Sequence, residues 1–396
     1  IRMGLFLYDH LGGRKVLKAS HGVHLSAHPA GAPLQDRYWQ AFSYSDCRTD
    51  DARLVVLNAI DAAGRGATVM TRTACTDMKQ EGNLWRLHLR DLATDRDFSV
   101  TTAMAVNATG PWVHDFLNRS QLSEPGAPQM RLVKGSHIVV PRLYEGEHAY
   151  MLQQSDRRIV FTIPYEDKFT LVGTTEIPFT GDPAAAQIDA QEVDYLCTAV
   201  NRSFKQQIVP EQIVWAYSGV RPLLADEHDT ATATTRDYQL ILDRSYGPPL
   251  LSVFGGKITT YRRLAEHALD ELCGGEHWTG KERLPGGNTG GMEDYIKMQT
   301  ARYSWLPPAL TARYSRTYGT CMDVFLQNSF GLHDLGRHLG DGIYEAEIYY
   351  LVGAEWARTA EDILWRRTKL GLHVSAETAR NLEAALPHIM QKALAA

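Results

Sequence analysis

At 396 residues the chain is about two to three times the usual length of one domain, so more than one core is expected. Its 41 Lys and Arg against 46 Asp and Glu leave a net charge of −5, with 44% hydrophobic residues, which gives no global pull toward nucleic acid or anionic lipid. No apolar run approaches the roughly 18 residues of a spanning helix, and nothing resembles a signal peptide, so any membrane contact is expected to be peripheral.

Five cysteines, at 47, 75, 197, 273 and 321, are dispersed without a C-x-x-C pair, and read as reduced thiols rather than a disulfide or zinc framework. His21, His24 and His28 have a metal-like spacing. Gly22 and Pro29 break any helix there and no carboxylate or thiolate clusters beside them, so a solvated loop is expected and no metal site.

The chain opens on an apolar run, Ile1-Arg-Met-Gly-Leu-Phe-Leu-Tyr8, and continues as a loop rich in Gly, His and Pro to about Leu34. Thr49-Asp50-Asp51 supply a helix start, Leu54, Leu57 and Ile60 follow at three-residue spacing, and Gly64 and Gly66 end the helix. A strand is expected over residues 67–75, which makes helix, Gly turn and strand one half of a βαβ unit. Trp85, Leu87 and Leu89 alternate with Arg86, His88 and Arg90, and after a polar turn Phe98, Val100 and Thr102 alternate again: a β-hairpin. Residues 103–112 then read as a short buried strand ending at Gly110, with Pro111 suited to the first turn of a helix.

Residues 131–217 are strand-rich and punctuated by Pro and Gly, the pattern of a separate, largely antiparallel sheet. Leu250-Leu-Ser-Val-Phe-Gly-Gly-Lys-Ile-Thr-Thr260 is a second strand, Gly turn and helix, and returns the chain to the first domain. From Pro285 onward helix formers and aromatics dominate, so a helical domain without catalytic groups is expected. Within it, Thr359-Ala-Glu-Asp362 fits a capping box before Ile363-Leu-Trp365. Gly371 is expected to stop that helix, with Arg366, Arg367 and Lys369 near its C-terminal end.

Two Gly turns carry chemistry. In Asn107-Ala-Thr-Gly-Pro-Trp112 a strand enters a helix through Gly110, so backbone N–H groups can face a phosphate or flavin, or the turn is simply tight. In Phe254-Gly-Gly-Lys-Ile-Thr-Thr-Tyr-Arg262 two glycines remove Cβ atoms where a planar ring could approach, and a helix N-terminus directs partial positive charge there.

These two segments resemble the FAD-dependent, aerobic sn-glycerol-3-phosphate dehydrogenase family. So, in order and approximate spacing, do Asp50-Asp-Ala-Arg-Leu-Val-Val-Leu-Asn58, Lys134-Gly-Ser-His-Ile-Val-Val-Pro141, Val172-Gly-Thr-Thr-Glu176, Tyr217-Ser-Gly-Val-Arg-Pro-Leu223, Thr235-Arg-Asp-Tyr238 and Leu364-Trp-Arg-Arg-Thr-Lys-Leu-Gly371. The resemblance implies an α/β + α fold: a Rossmann-like FAD-binding domain (residues 1–130 and 246–284), a substrate-binding antiparallel sheet (131–245) and a C-terminal helical domain (285–396). Family members open with a G-x-G-x-x-G turn that cradles the FAD pyrophosphate. No such pattern occurs here, so at least one βαβ unit of about 30 residues is expected upstream of Ile1, and the stretch in hand is expected to be inactive by itself.

By the same resemblance Cys75, Ala108, Thr109, Gly110, Trp112, Gly219, Gly255, Gly256, Lys257, Ile258 and Thr259 face FAD. Cys75 gives only backbone contact to the adenine, and Thr259 a hydrogen bond to the flavin. Glycerol 3-phosphate needs a dianion anchor, a base for its C2 hydroxyl and a hydride acceptor. Arg221 and Arg236 are the anchors, since a planar guanidinium donates bidentate hydrogen bonds; for Arg236 an ion pair with Asp237 is the alternative. Lys257 is expected to hold the C2 oxygen, unless it only snorkels from a helix start. His137 is the first choice as general base, with a structural histidine on a strand as the alternative. Glu176 is expected to play a supporting role.

The implied reaction gives dihydroxyacetone phosphate and passes electrons through FAD to a membrane quinone, from a cytoplasmic protein held peripherally at the inner face of the cytoplasmic membrane and open to homodimer formation. Reduction of dioxygen to hydrogen peroxide, and a non-catalytic interaction protein with a decayed flavin site, are the alternatives. The presence of Arg221, Lys257 and Thr259 together argues against decay.

Overall fold

The computed structural model describes residues 2–10, 17–122, 126–225, 237–245 and 247–394. In chain order its first elements are α1 (Arg2–His10), β1 (His21–His24), β2 (Gln40–Ser43), α2 (Asp51–Gly64), β3 (Thr73–Glu81), β4 (Leu84–Asp91), β5 (Arg96–Thr102), β6 (Ala105–Asn107) and α3 (Val113–Arg119). Next come β7 (Met130–Pro141), β8 (Tyr150–Gln153), β9 (Ile159–Tyr165), β10 (Phe169–Gly173), β11 (Ile177–Pro178), α4 (Ala190–Ser203), β12 (Trp215–Leu224), β13 (Tyr238–Asp243), β14 (Leu250–Gly255) and α5 (Tyr261–Leu272). The last are α6 (Met292–Arg302), α7 (Pro308–Tyr318), α8 (Asp323–Leu326), β15 (His338–Gly340), β16 (Ile343–Tyr344), α9 (Glu345–Ala354) and α10 (Ala376–Ala393).

The chain divides into two compact, interleaved units. The first comprises Ile1–Arg48, Asp77–Leu87 and Thr101–Leu272. Its larger sheet runs β11-β7-β10-β9-β8, with β12 also pairing antiparallel to β7 from Trp215 opposite Val139 to Leu224 opposite Met130. α4 covers one side. Strand period two sends Ile138 and Val140 of β7 toward it, where they join Val160, Val172, Leu196, Val200 and Phe204 in one buried cluster. Each such side chain contributes roughly 1.5–3 kcal/mol by leaving water. The second sheet is β13-β14-β6, in which β14 and β6 are parallel and β13 antiparallel.

The second unit comprises Thr49–Thr76, His88–Val100 and Cys273–Ala396. α2 starts where expected, the Asp50 carboxylate accepting from the Arg53 N–H at 3.0 Å. One core joins the helices from Tyr295 to Ile389, including Tyr314, Tyr318, Met322, Ile348 and Leu351. Two ion pairs cross it: Arg53 with Glu355, both buried, and the half-buried Arg313 with buried Glu347.

Several expectations shift. The strand expected over 67–75 begins only at Thr73, after a turn in which Arg72 takes φ +54°, and β3 joins β4 and β5 rather than the parallel pair. The loop expected up to Leu34 contains β1, whose residues His21–His24 pair with Ser43–Gln40. The Thr359–Asp362 capping box forms, each residue's N–H donating to the other's side chain at 3.1 Å, but it opens a π-helical turn over Asp362–Arg367. That turn ends before Lys369, which takes the left-handed φ of +59°. Gly371 serves packing instead of stopping the helix: an added Cβ would lie 2.3 Å from Cε2 of Trp365. α4 was not expected at all.

Candidate active site

The side chains of β7 and β12 sort by strand period. Val133, Gly135, His137 and Val139 lie opposite Arg221, Gly219, Tyr217 and Trp215, and these residues share the face turned away from α4. Arg221 does not stand straight out of its own register. Its Nη2 lies over Gly135, where an added Cβ would come within 2.9 Å of it and 2.7 Å of Thr174 Oγ1. The same nitrogen donates to Thr174 Oγ1 at 3.3 Å, and Nη1 lies 3.6 Å from Glu176 Oε1. The guanidinium is thereby tethered while 37% of the side chain stays exposed, so it can still meet an anion. Gly135 precedes His137 by two residues on the same face, about 7 Å along the strand. The charge and the imidazole therefore look into one space.

His137 is seated between its two strand neighbours. Its ring stacks on Tyr217 with centroids 5.0 Å apart and planes 11° from parallel. It also covers Gly173 of β10, where an added Cβ would come within 2.1 Å of the imidazole Cδ2.

The parallel pair delivers both Gly turns at its C-terminal end, the edge where open α/β sheets bind ligands. Gly110 has φ +58°, Gly255 +76° and Gly256 +103°, a region that glycine alone enters freely. The Gly255–Gly256 turn abuts β12 just past Arg221: an added Cβ at Gly255 would lie 3.4 Å from Leu224 Cγ and 3.7 Å from Pro222 O. The 3-10 turn Gly110–Trp112 also packs on β12 and β14. Its entry is held by Thr109 Oγ1 donating to Asn107 Oδ1 at 2.7 Å and Asn107 Nδ2 donating to Val113 O at 3.2 Å. Lys257, Ile258 and Thr259 are exposed at the turn that leads into α5, where leading N–H groups carry partial positive charge.

These features fit the flavin end of FAD. Added Cβ atoms at Gly110 and Gly219 would meet nothing within 4 Å, whereas at Gly255 and Gly256 they would meet Asp237 O at 2.7 Å and Leu264 Cδ1 at 3.2 Å. Open space for a ring therefore lies beside the first two, and the second two serve the turn. Ala108 lies between Asn107 and Thr109, and Trp112 is anchored by its Nε1 donating to Asp182 Oδ1 at 3.2 Å. Cys75 lies on β3, half-buried, in the second unit. Arg236 lies outside the described residues. Among the described residues no group of three His, Cys, Asp or Glu could hold a metal ion, and no helix is long and apolar enough to cross a membrane.

Behind this face lies a polar cluster that sequence reasoning missed. Glu192, only 1% exposed, accepts from Ser136 Oγ at 2.8 Å, Thr175 Oγ1 at 2.6 Å and the Asp189 N–H at 3.0 Å, and its Oε2 lies 2.8 Å from Lys134 Nζ. Burial pulls the Lys134 ammonium down, but the Glu192 and Asp189 carboxylates raise it above its ordinary range. The signal was present in the Asp189-x-x-Glu192 capping box, which starts α4.

Residues 8–262 match the family model described as FAD dependent oxidoreductase, and residues 277–395 match the C-terminal domain of alpha-glycerophosphate oxidase. The chain is 50% identical over 382 residues to a glycerol-3-phosphate dehydrogenase of Pseudomonas aeruginosa, an alignment covering 95% of this chain and 74% of that protein. It is 45% identical to the aerobic glycerol-3-phosphate dehydrogenase of Escherichia coli, covering 100% of this chain and 79% of that one. It is also 44% identical to the D-erythritol 1-phosphate dehydrogenase of Brucella abortus, covering 97% and 78%. In fold it is similar to the glycerol-3-phosphate dehydrogenase from Bacillus halodurans complexed with FAD, with a TM-score of 0.72 at 24% identity, covering 92% of this chain and 71% of that one. With the FAD-dependent oxidoreductase model matched over most of the chain and relatives 45–50% identical along nearly all of it, this chain belongs to the glycerol-3-phosphate dehydrogenase family of FAD-dependent oxidoreductases.

Proposed function

We propose that the protein oxidises sn-glycerol 3-phosphate at C2 to dihydroxyacetone phosphate and passes the electrons to a membrane quinone. The observation that carries the reading is the 45–50% identity to glycerol-3-phosphate dehydrogenases along 95–100% of this chain. The shared face of Arg221 and His137 beside the Lys257 turn supports it. FAD, when bound, supplies the hydride acceptor. Arg221 anchors the phosphate, with Arg236 as a second cation, and Lys257 stabilises charge growing on the C2 oxygen. His137 takes the hydroxyl proton. Gly110 and Gly219 leave the flavin room, and Gly255 and Gly256 make the tight turn at its edge, where an added Cβ would instead meet Asp237 O and Leu264. Ala108, Thr109, Trp112, Ile258 and Thr259 line it; Cys75 meets the adenine. Peripheral attachment to the inner face of the cytoplasmic membrane would bring the quinone within reach.

A second reading concerns the substrate. The erythritol-phosphate relative is as similar as the Escherichia coli enzyme to within one percentage point, so a longer polyol phosphate competes with glycerol 3-phosphate. Anaerobic stopped-flow mixing of the holoenzyme with each substrate separates them through bleaching of the flavin absorbance. Bleaching is expected at lower concentration with glycerol 3-phosphate; none with that substrate would overturn the proposal. Reoxidation by a quinone analogue should outpace reoxidation by dioxygen.

Two substitutions probe the roles. Lys257→Ala is expected to slow bleaching by about 10²-fold, the scale of losing one preorganised partner of a developing oxyanion, with little change in substrate affinity. An unaltered bleaching rate removes Lys257 from the chemistry. Gly135→Ala is expected to displace Arg221 and Thr174, whose nearest atoms would lie 2.9 Å and 2.7 Å from the new carbon. Its φ needs no glycine, so substrate affinity should fall several-fold with the unfolding midpoint nearly unchanged, and equal affinities in a titration would show that Arg221 does not rest there during binding.

A further inference from the structure

The segments Lys134-Gly-Ser-His137 and Val172-Gly-Thr-Thr-Glu176 divide their residues between two sides of one sheet. Gly135 and His137 face the site. Lys134, Ser136 and Thr175 face inward, and all three meet one carboxylate, that of Glu192. The cluster reaches the third backbone through Ser218 of β12, whose Oγ lies 2.8 Å from Ser136 Oγ. Thr175 is tied twice, since its Oγ1 also accepts from the Ser136 N–H at 2.9 Å. Ser136 and Thr175 are 0% and 1% exposed.

A buried charged pair seldom adds stability over an apolar pair of similar volume, because desolvation offsets the attraction; its best-attested use is to fix registry. Here the three backbones held together are those that carry the site on their other side. The link is short. Glu192 holds Thr175, the adjoining Thr174 Oγ1 donates to the Thr175 carbonyl at 3.1 Å, and Arg221 Nη2 donates to that same Oγ1. Thr174 also stands against Gly135, the residue over which the guanidinium lies.

We propose that Glu192 is a positioning residue for substrate binding: through Thr175 and Thr174 it sets where the Arg221 guanidinium presents itself to the anionic group of the substrate. This rests on the reading of Arg221 as the phosphate anchor. Glu192 touches neither substrate nor FAD, and its effect is on geometry.

A double-mutant cycle on the holoenzyme tests it, read by anaerobic stopped-flow as the Kd for sn-glycerol 3-phosphate from the substrate dependence of the bleaching rate and, separately, as its maximal value. Thr175→Val keeps the shape and removes the hydroxyl; it is expected to weaken binding about tenfold, the scale of one hydrogen bond to a charged group, with a smaller effect on the rate. Thr175→Ser restores the hydroxyl and should bind as the wild type does, which separates loss of the tether from general damage. In an Arg221→Ala background Thr175→Val should weaken binding less than about twofold, because the group it positions is gone. Additive losses in the double variant, or a Thr175→Val protein that binds normally while Arg221→Ala does not, would overturn the positioning role and leave the anchor reading standing. Normal binding by Arg221→Ala itself would remove the anchor and this proposal with it. Glu192→Gln gives the second route: if it folds, its affinity should fall at least as far as that of Thr175→Val, and a wild-type affinity would contradict the proposal.

Discussion

Arg221→Ala is expected to lower the second-order rate of flavin reduction by glycerol 3-phosphate about 10²- to 10³-fold, through affinity and rate together. Hydrogen bonds to charged groups contribute roughly 1.5–3 kcal/mol each, and a guanidinium can give two to one phosphate. The loss should not come from unfolding. Arg221 lies on a half-open face, its partner Glu176 is itself 32% exposed, and Thr174 keeps its bond to the Thr175 carbonyl. Among the described contacts truncation therefore strands no buried charge, and the unfolding midpoint should hardly move. Arg221→Lys separates charge from shape. It retains the cation but loses the fork, so it should recover less than about tenfold of the loss. Stopped-flow bleaching across a substrate series measures both quantities, and a variant within a factor of about two of the wild type would exclude Arg221 as the anchor.

The elements that show in the sequence are those whose causes are local. Asp50 caps α2 one residue before the helix, Trp85 and Leu89 bury at strand spacing, and the strand–Gly–helix segments at Asn107 and Phe254 carry their own turn chemistry. Failures arise where the cause is distant. Residues 67–72 hold β-branched side chains, yet a strand exists only from Thr73 on, where a partner exists. The expectation that Gly371 stops a helix failed because the constraint is the ring of Trp365, not the chain's own φ. The same holds at the site. Arg221, His137 and Lys257 can be chosen by residue type and turn, but that Gly135 makes the bed for Arg221, or Gly173 for His137, depends on strand register. Glu192 lies 56 residues from Ser136 and 17 from Thr175, so its cap motif revealed a helix start and nothing of the strand β7 and the loop after β10 that it ties together.

In the second unit the largest loss of stability is expected from Glu347→Ala. Glu347, on α9, is 0% exposed and receives both arms of Arg313 from α7, Nη1 to Oε1 at 2.6 Å and Nη2 to Oε2 at 2.8 Å, with the Tyr318 hydroxyl donating to Oε1 at 2.6 Å. Burial first, and then the carboxylate's charge, hold that hydroxyl well above the ordinary phenol range, so it remains a donor in alkaline solution. Removing the carboxylate leaves Arg313 with the Gly342 carbonyl at 2.9 Å and the face of Tyr314, 4.6 Å from its ring centroid, and leaves the Tyr318 hydroxyl without its acceptor. An uncompensated buried charge of this kind costs about 3–5 kcal/mol. Desolvation and attraction nearly cancel when both partners are present, so replacing both tells a different story. Arg313→Met with Glu347→Leu should return most of the stability, to within about 2 kcal/mol of the wild type. Guanidinium unfolding of the wild type, the single and the double variant, followed by hydrogen exchange at α7 and α9, measures this for the unit concerned. A double variant as unstable as Glu347→Ala would mean that the pair contributes net stability itself, and that its geometry overcomes the desolvation of both ions.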